Sequence, residues 1–434
     1  MKYKKIDKKS YNMHLIKTDR FKMTTVRVIL RDEIRKEEIT QRNFLLDMLT
    51  YSTYNYKTRK ELVAKSQDLY ATNIYTRAYR TGRNSNINFY LSFLNEKYTE
   101  EKMTNESIKL LSEVIFNPNV INNSFDKESF DIIKRNTKVM LNSEKDNPAR
   151  YSMTRMLENM GEGKEYSYRE SGYLEDLEKI TPENLYEYYK EIITKSTVDI
   201  YVIGNFEFDD MEQMIDENME FNTIKRKKKD YIIEHEKLRK TPKVVEEKED
   251  YNQSKLSIGC KIEKLDKRER NYVISLYNLI LGSGPECRFF KNIREKHSIC
   301  YYVSSSINKL DNLLLIRSGI QKDNFKKCVD LIKKEMKDIE KGNISDEEIE
   351  KAKQTYCTLM DEIYDAADAI IETYIAKDLL DIEEIEERKE IIKTVTKEEI
   401  INVSKKVHID TIYLLEGVNE DGENWIRRTW SNLL

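Results

Sequence analysis

The side chains best suited to metal or nucleophilic chemistry are few and widely separated in this sequence. No two of the four histidines lie within one helical turn of each other, and the five cysteines form no Cys-x-x-Cys motif. Protein zinc sites are typically built from closely grouped His, Cys and acidic residues. The pattern therefore predicts free thiols in a reducing compartment and isolated histidines that are exposed or hydrogen-bonded. The histidines are His14, His235, His297 and His408.

The composition is that of a globular protein with more than one domain. The 434 residues are enough for two or more hydrophobic cores. A net charge of −3 gives no general attraction to nucleic acid or to an anionic membrane, so the lysine run 225–229 is interpreted as solvated surface. The basic N-terminus has no long apolar core, and no apolar run approaches the roughly 18 residues of a membrane span. We therefore expect a cytoplasmic protein.

The elements that would position a site are arranged as an internal duplication. Residues 181–206 and 396–418 each predict a Thr-capped helix followed by an apolar strand that ends near a glycine. Residues 124–141 and 343–360 repeat a second capped helix at nearly the same offset. Residues 222–252 lack apolar periodicity and predict an exposed linker between domains at 1–221 and 253–434.

Each half combines hairpins with amphipathic helices, which predicts an α+β sandwich used twice. In the first half, strands are predicted at 22–30, 72–80, 86–94 and 198–204, and helices at 40–51, 58–70, 105–116 and 127–145. In the second half, strands are predicted at 254–261, 300–307 and 312–320, and helices at 269–281, 323–341 and 345–375.

The longest patterned segment resembles a known family. The stretch GSGPECRFFKNIREKHSICYYVSSS at 282–306 is similar to the Gly-rich turn, Phe, Arg-Glu and Tyr succession of the insulinase/pitrilysin family of zinc peptidases. The segments TPENLYEYY at 181–189 and ISDEEIEKAK at 344–353 resemble helix starts of the same family. The resemblance covers nearly the whole chain and implies two homologous insulinase-like domains.

The family's zinc motif is degenerate in the matching helix. Active members carry His-x-x-Glu-His, in which two histidines bind zinc and the glutamate acts as general base. The helix NFLLDMLTYST at 43–53 places Asn43, Leu46 and Asp47 at these positions. The third ligand, a glutamate in the family, falls near Asn142, with Glu144 close by. The resemblance therefore implies no metal in this chain, although Asp47 beside Asn43 could weakly hold a hard cation.

A second pair of family residues is retained in the second half. Arg294 and Tyr301 keep the family spacing. In the family this pair contacts the substrate backbone and helps to stabilise charge on the scissile carbonyl. The resemblance implies the same substrate-contact role here. The alternative is that Arg294 pairs with a nearby carboxylate and Tyr301 packs within a strand.

The division of residues is similar to that of two-chain bacterial members, in which one chain has the zinc motif and the other the Arg/Tyr pair. We therefore expect an inactive subunit of a heterodimeric, peptide-processing zinc peptidase, with zinc in a sister chain and a homodimer as the alternative in its absence. Three other hypotheses stay open. They are a scaffold protein with the same fold, an association with elongation factor P modification as for some relatives, and an independent enzyme with a metal at Asn43, Asp47 and Asn142.

Overall fold

The computed structural model describes residues 1–222, 231–235 and 237–418, so the lysine run 225–229 lies outside the described residues. The chain divides into two compact units. The first unit contains Met1–Ser143, Arg169–Tyr231 and Ala367–Glu372. The second contains Glu144–Tyr168, Ile232–Ala366 and the chain from Thr373 to the last described residue, Val418. Among the described helices, none is both long enough and apolar enough to cross a membrane.

The first unit is built on a six-stranded sheet with the order β1-β2-β8-β3-β5-β4. β2 and β8 are parallel, and the other neighbouring pairs are antiparallel. Alternation along β3 sends Val26 and Val28 into the core and Arg27 to the opposite face. The strands, with the short β6–β7 ribbon, are β1 (Lys2–Asp7), β2 (Tyr11–Lys17), β3 (Met23–Glu33), β4 (Asn73–Thr81), β5 (Asn84–Leu94), β6 (Val120–Ile121), β7 (Ser124–Phe125) and β8 (Thr197–Gly204).

Helices pack on one face of this sheet and are started by the capping residues that the sequence indicates. Thr58 and Thr181 each accept a hydrogen bond from the backbone N–H three residues later, in capping boxes. The helices up to residue 218 are α1 (Ile39–Leu49), α2 (Arg59–Asp68), α3 (Thr104–Phe116), α4 (Lys127–Asn142), α5 (Pro148–Met160), α6 (Leu174–Leu177), α7 (Pro182–Lys195) and α8 (Phe208–Asn218). All except α5 belong to the first unit.

The second unit has a five-stranded sheet with the order β11-β12-β10-β13-β9. Its strands are β9 (Lys243–Glu249), β10 (Ser254–Ile262), β11 (Cys300–Asn308), β12 (Leu313–Ile320) and β13 (Val407–Gly417). Its first helix is α9 (Ile274–Asn278), which is flanked by the π-helical turns Glu269–Val273 and Leu279–Ser283. The π-helical segment Phe289–Glu295 follows and is here called the Arg294 helix. The later helices are α10 (Phe325–Glu340), α11 (Asp346–Glu362), α12 (Ala367–Leu380), α13 (Ile385–Lys393) and α14 (Lys397–Ser404).

The two sheets share one topology, so the α+β fold and the internal duplication are confirmed. The order β2-β8-β3-β5-β4 in the first unit matches β9-β13-β10-β12-β11 in the second, including the parallel pairs β2–β8 and β9–β13. In this match β9 is the counterpart of β2. Residues 243–249 were predicted as part of an exposed linker, but they form a strand because β13 supplies a parallel partner from far along the chain.

The compact units do not follow the predicted domain boundaries. Helix α5 comes from the first half of the sequence, yet it packs on β10 and β13 of the second unit. Gly259 of β10 allows this approach, because a Cβ there would lie 2.4 Å from the sulfur of Met160. The first residues of α12 belong to the first unit, where Glu372 pairs with Arg27 at 2.6 Å.

The prediction of one continuous helix over 345–375 is wrong, because the helix is interrupted after Glu362. The chain leaves the helix after Glu362, passes through a 3-10 turn at Ile363–Asp365, and resumes at Ala367 after an extended Ala366. Ala366 and Ala367 are strong helix formers, so they locally favour continuity. The break instead accompanies the transfer of the chain between the two units.

Candidate substrate-contact site and degenerate zinc motif

The three zinc-motif positions lie on α1 in different surroundings. The Asn43 side-chain amide donates a hydrogen bond to the carbonyl oxygen of Glu170 at 2.7 Å. Leu46 is 3% exposed and belongs to the hydrophobic core of the first unit. Asp47 is exposed to solvent within a cleft. A helix that places one carboxylate, one amide and one aliphatic side chain at these positions offers a metal ion little more than a single strong ligand.

The cleft around Asp47 has a volume of about 460 Å³ and is bounded by α1, α2, β4 and α4. The surrounding protein desolvates the Asp47 carboxyl and raises its pKa to about 6, while the nearby Arg59 acts in the opposite direction. Asp47 therefore changes charge near pH 6. The lining is mixed in polarity and consists of Asp47, Thr50, Tyr51, Arg59, Leu62, Val63, Ser66, Ile74, Tyr75, Thr76, Val114, Ile133 and Asn136.

Asn136 is the polar side chain of α4 that lines this cleft, and the sequence analysis did not identify it. Asn142 is exposed at the last position of α4, and Glu144 belongs to the second unit. Asn136 lies three residues after the buried Ile133, and both line the cleft. The apolar spacing of α4 contained this signal, because residues three apart share a helix face. An amide at this position is a poorer ligand for zinc than the carboxylate of active family members.

The four histidines are separated and are engaged mainly in local contacts. His14 is fully buried, and its Nδ1 lies 2.8 Å from the Tyr3 hydroxyl. The Nε2 atoms of His235 and His408 lie 2.8 Å from a backbone carbonyl and 2.7 Å from the Glu263 carboxylate, respectively. Within residues 1–222, 231–235 and 237–418, no three His, Cys, Asp or Glu side chains are grouped so as to hold a metal ion.

Arg294 lies on the solvent-facing side of the Arg294 helix. Its guanidinium lies over the ring of Phe290, 5.0 Å from the ring centroid. The described residues contain no carboxylate in ion-pair contact with it, so its hydrogen-bond donors remain available. Burial raises the pKa of the Cys300 thiol, and the Arg294 charge opposes that rise. The guanidinium therefore lies close to the first residue of β11.

Tyr301 lies at a β-bulge at the start of β11. The pairing of β11 with β12 passes from Cys300–Ile320 to Tyr302–Gly319 and leaves Tyr301 without a cross-strand partner. Its side chain is 57% exposed. Bulges re-aim side chains at the ends of strands. The start of β11 therefore presents one guanidinium and one phenol to solvent, and both can donate hydrogen bonds to a carbonyl or carboxylate oxygen.

Comparison with known proteins finds a matching family domain and a similar bacterial chain. Residues 179–356, which include both Arg294 and Tyr301, match the peptidase M16 inactive domain. The chain is 28% identical over 408 residues to the probable inactive metalloprotease YmfF of Bacillus subtilis (strain 168), covering 93% of this chain and 95% of the relative.

Two solved structures share the fold over nearly the whole chain. A conserved protein from Enterococcus faecalis V583 is 25% identical with a TM-score of 0.88, covering 96% of this chain and 99% of that one. A peptidase M16 inactive domain from Pseudomonas fluorescens is 16% identical with a TM-score of 0.76 at the same coverages, and at that identity it supports the fold alone. These two proteins therefore share the fold of this chain.

Proposed function

We propose that this chain is a member of the peptidase M16 family and acts as the non-catalytic subunit of a heterodimeric zinc peptidase. It contributes Arg294 and Tyr301 to a peptide-processing site whose zinc is bound by a sister chain. We propose that this complex acts in the cytoplasm. The observation that carries the proposal is the pair of exposed donors at the start of β11, retained in a chain whose zinc-motif positions hold Asn43, Leu46 and Asp47.

The proposed division of labour follows from what each group can do. A zinc ion held by the sister chain would supply the activated water for hydrolysis of the scissile peptide bond. Negative charge then develops on the carbonyl oxygen. The Arg294 guanidinium and the Tyr301 hydroxyl donate hydrogen bonds to the substrate carbonyl region and stabilise that charge. Their exposure in this chain is what such a role needs, because buried donors already paired inside the unit could not reach a substrate.

The test is reconstitution with a zinc-bearing sister chain of the same family. We expect no peptide hydrolysis by the isolated chain and hydrolysis by the mixture. Removing one such donor, by Tyr301→Phe or Arg294→Ala, is expected to lower kcat by about 10²- to 10³-fold. The effect on KM should be smaller. Both residues are exposed, so the variants should fold with nearly unchanged stability.

Matched controls are available on the surface of the same chain. Tyr98→Phe removes a hydroxyl from a tyrosine that is 46% exposed, and Lys334→Ala removes an exposed cation from α10. Both should leave hydrolysis unchanged. If Tyr301→Phe and Arg294→Ala also retain full activity, the shared site is refuted. If the two chains associate without any peptidase step, the chain acts as a scaffold.

A further inference from the structure

Strand β11 lies at an edge of the second unit's sheet in the described part of the chain. β12 pairs with one side of it, and no described strand pairs with the other. An edge strand presents unpaired backbone N–H and C=O groups that can accept an additional strand. Extended peptides bind such edges through backbone hydrogen bonds, and side chains beside the edge determine which sequences are accepted.

A second unpaired guanidinium lies beside this edge. Arg317 of β12 is directly opposite Ser304 of β11, and its Nε donates a hydrogen bond to the Ser304 hydroxyl at 3.2 Å. Arg317 is exposed, and no described carboxylate forms an ion pair with it. Burial raises the pKa of Tyr302, and the charge of Arg317 opposes that rise. Arg317 therefore lies over the middle of β11, as Arg294 lies near its start.

The two cations flank the edge from opposite faces of the sheet. The Arg294 helix contributes Phe289 and Ile293 to the hydrophobic core, so it packs on the core face. On β12 the core face is taken by Ile316, so alternation puts Arg317 on the other face. Cys300 and Ser304, the strand positions near Arg294 and Arg317, are separated by about 13 Å at the rise of an extended strand.

We propose that β11 binds an extended peptide that carries acidic side chains, with Arg294 and Arg317 each taking one carboxylate. The inference rests on the proposed function for Arg294 and adds an acidic substrate class that is selected by Arg317. The charges of Glu295 and Lys296 in the neighbouring turn offset each other. A second copy of this chain fits the edge poorly, because pairing two β11 strands would bring guanidinium groups together across the junction.

The test measures binding to the isolated chain, so it needs no sister subunit. A short fluorescent Thr/Val peptide with two glutamates three or five residues apart, so that they face opposite sides of an extended strand, is compared with its Gln counterpart by anisotropy. We expect the acidic peptide to bind more tightly at low salt and to lose that advantage at high salt. Arg317→Gln should weaken binding of the acidic peptide by about two- to fivefold, in the range of an exposed ion pair. The Gln peptide should be unaffected.

The control Lys334→Gln removes one exposed positive charge from α10, an element that contributes no residue to β11 or β12, and should not change the preference for the acidic peptide. Equal binding of the acidic and neutral peptides, or an equal loss in both variants, would overturn the inference. A chain dimer that competes with the peptide would assign the edge to a second copy and would also overturn it.

The proposed function and this inference can fail separately. Suppose Arg294→Ala leaves hydrolysis by the reconstituted complex intact while Arg317→Gln still weakens binding of the acidic peptide. The shared catalytic site is then refuted, and the binding of acidic peptides at β11 is supported. If Arg294→Ala abolishes hydrolysis and Arg317→Gln changes the binding of neither peptide, the shared site is supported and the binding of acidic peptides at β11 is refuted.

Discussion

A buried ion pair between two central strands of the first unit makes a sharp prediction about stability. Arg31 of β3 and Asp199 of β8 lie 2.7 Å apart, and their side chains are 8% and 5% exposed. Asn12 donates a second hydrogen bond to Asp199 at 2.9 Å. Burial raises the pKa of the Asp199 carboxyl, but the Arg31 guanidinium and the His14 ring outweigh it and hold the pKa well below its usual range.

Asp199→Asn keeps the shape of the side chain and removes the charge. Arg31 is then a buried cation without a counter-charge, which costs about 3 to 5 kcal/mol of folding free energy. The matched control is Asp209→Asn. Its carboxylate is 96% exposed and lies 3.5 Å from Lys4, so the expected cost is about 0 to 1 kcal/mol. The double variant Asp199→Asn/Arg31→Met should be more stable than Asp199→Asn alone, because no unpaired charge remains.

The dependence on pH has a definite sign. A carboxyl whose pKa is lowered by folding contributes stability above its unfolded pKa and loses that contribution as the pH falls. The difference in unfolding free energy between the parent protein and Asp199→Asn should therefore be largest at pH 7. It should shrink below about pH 4, where the carboxyl is protonated in the unfolded chain.

Amide hydrogen exchange suits this test, because it measures the free energy of opening segment by segment. The free energy of opening is measured for peptides that cover β3 and β8, and peptides from the second unit serve as an internal reference. If Asp199→Asn lowers the opening free energy no more than Asp209→Asn does, the reasoning about the buried pair is refuted.

Three further predictions concern α12, the cleft and metal. Glu372→Gln should lower the opening free energy of the first unit by about 1 to 2 kcal/mol, measured by hydrogen exchange, because the Arg27 guanidinium, 1% exposed, loses its carboxylate. Asp47→Asn should stabilise the protein above pH 6 and have little effect near pH 4, because folding raises the pKa of Asp47 to about 6 and so favours its neutral form. Equal thermal unfolding temperatures of the parent protein and the variant at pH 8 would contradict this. A chelator should leave the unfolding temperature of the isolated chain unchanged, and a clear decrease would reveal a structural metal.

Local sequence signals predicted most of the elements. The Thr-capped helices at Thr181 and Thr396 begin where their capping boxes indicate, and the β4–β5 hairpin turns at Gly82, whose φ of +56° suits glycine. These features depend on residues within a few positions of each other. The same locality explains why the duplication was visible as a repeated order of capped helix and apolar strand.

The elements that were missed depend on distant partners. β9 alternates valine with charged residues and reads as a linker until β13 pairs with it. Helix α5 was not among the predicted helices, and its own residues do not indicate which sheet the helix covers. That choice rests on close packing at Gly259, which is more than ninety residues away in the chain.

The candidate site divides in the same way. Residue types alone excluded a His-x-x-Glu-His motif, and the family resemblance pointed to Asn43, Leu46, Asp47, Arg294 and Tyr301. Tertiary structure decided which side chains have access to solvent. Leu46 is directed into the core, and Asp47 and Asn136 line the same cleft, of which Asn142 is not a lining residue.

The sequence by itself determined that this chain has no His-x-x-Glu-His motif, because that motif depends on residue identity and short helical spacing. It also determined the duplicated α+β pattern, because strand and helix periods are local. Only the tertiary structure decided that Tyr301 occupies a bulge, that β11 is an edge strand, and that Arg317 lies beside it. These properties depend on strand order and register, which are set by packing between segments far apart in the chain.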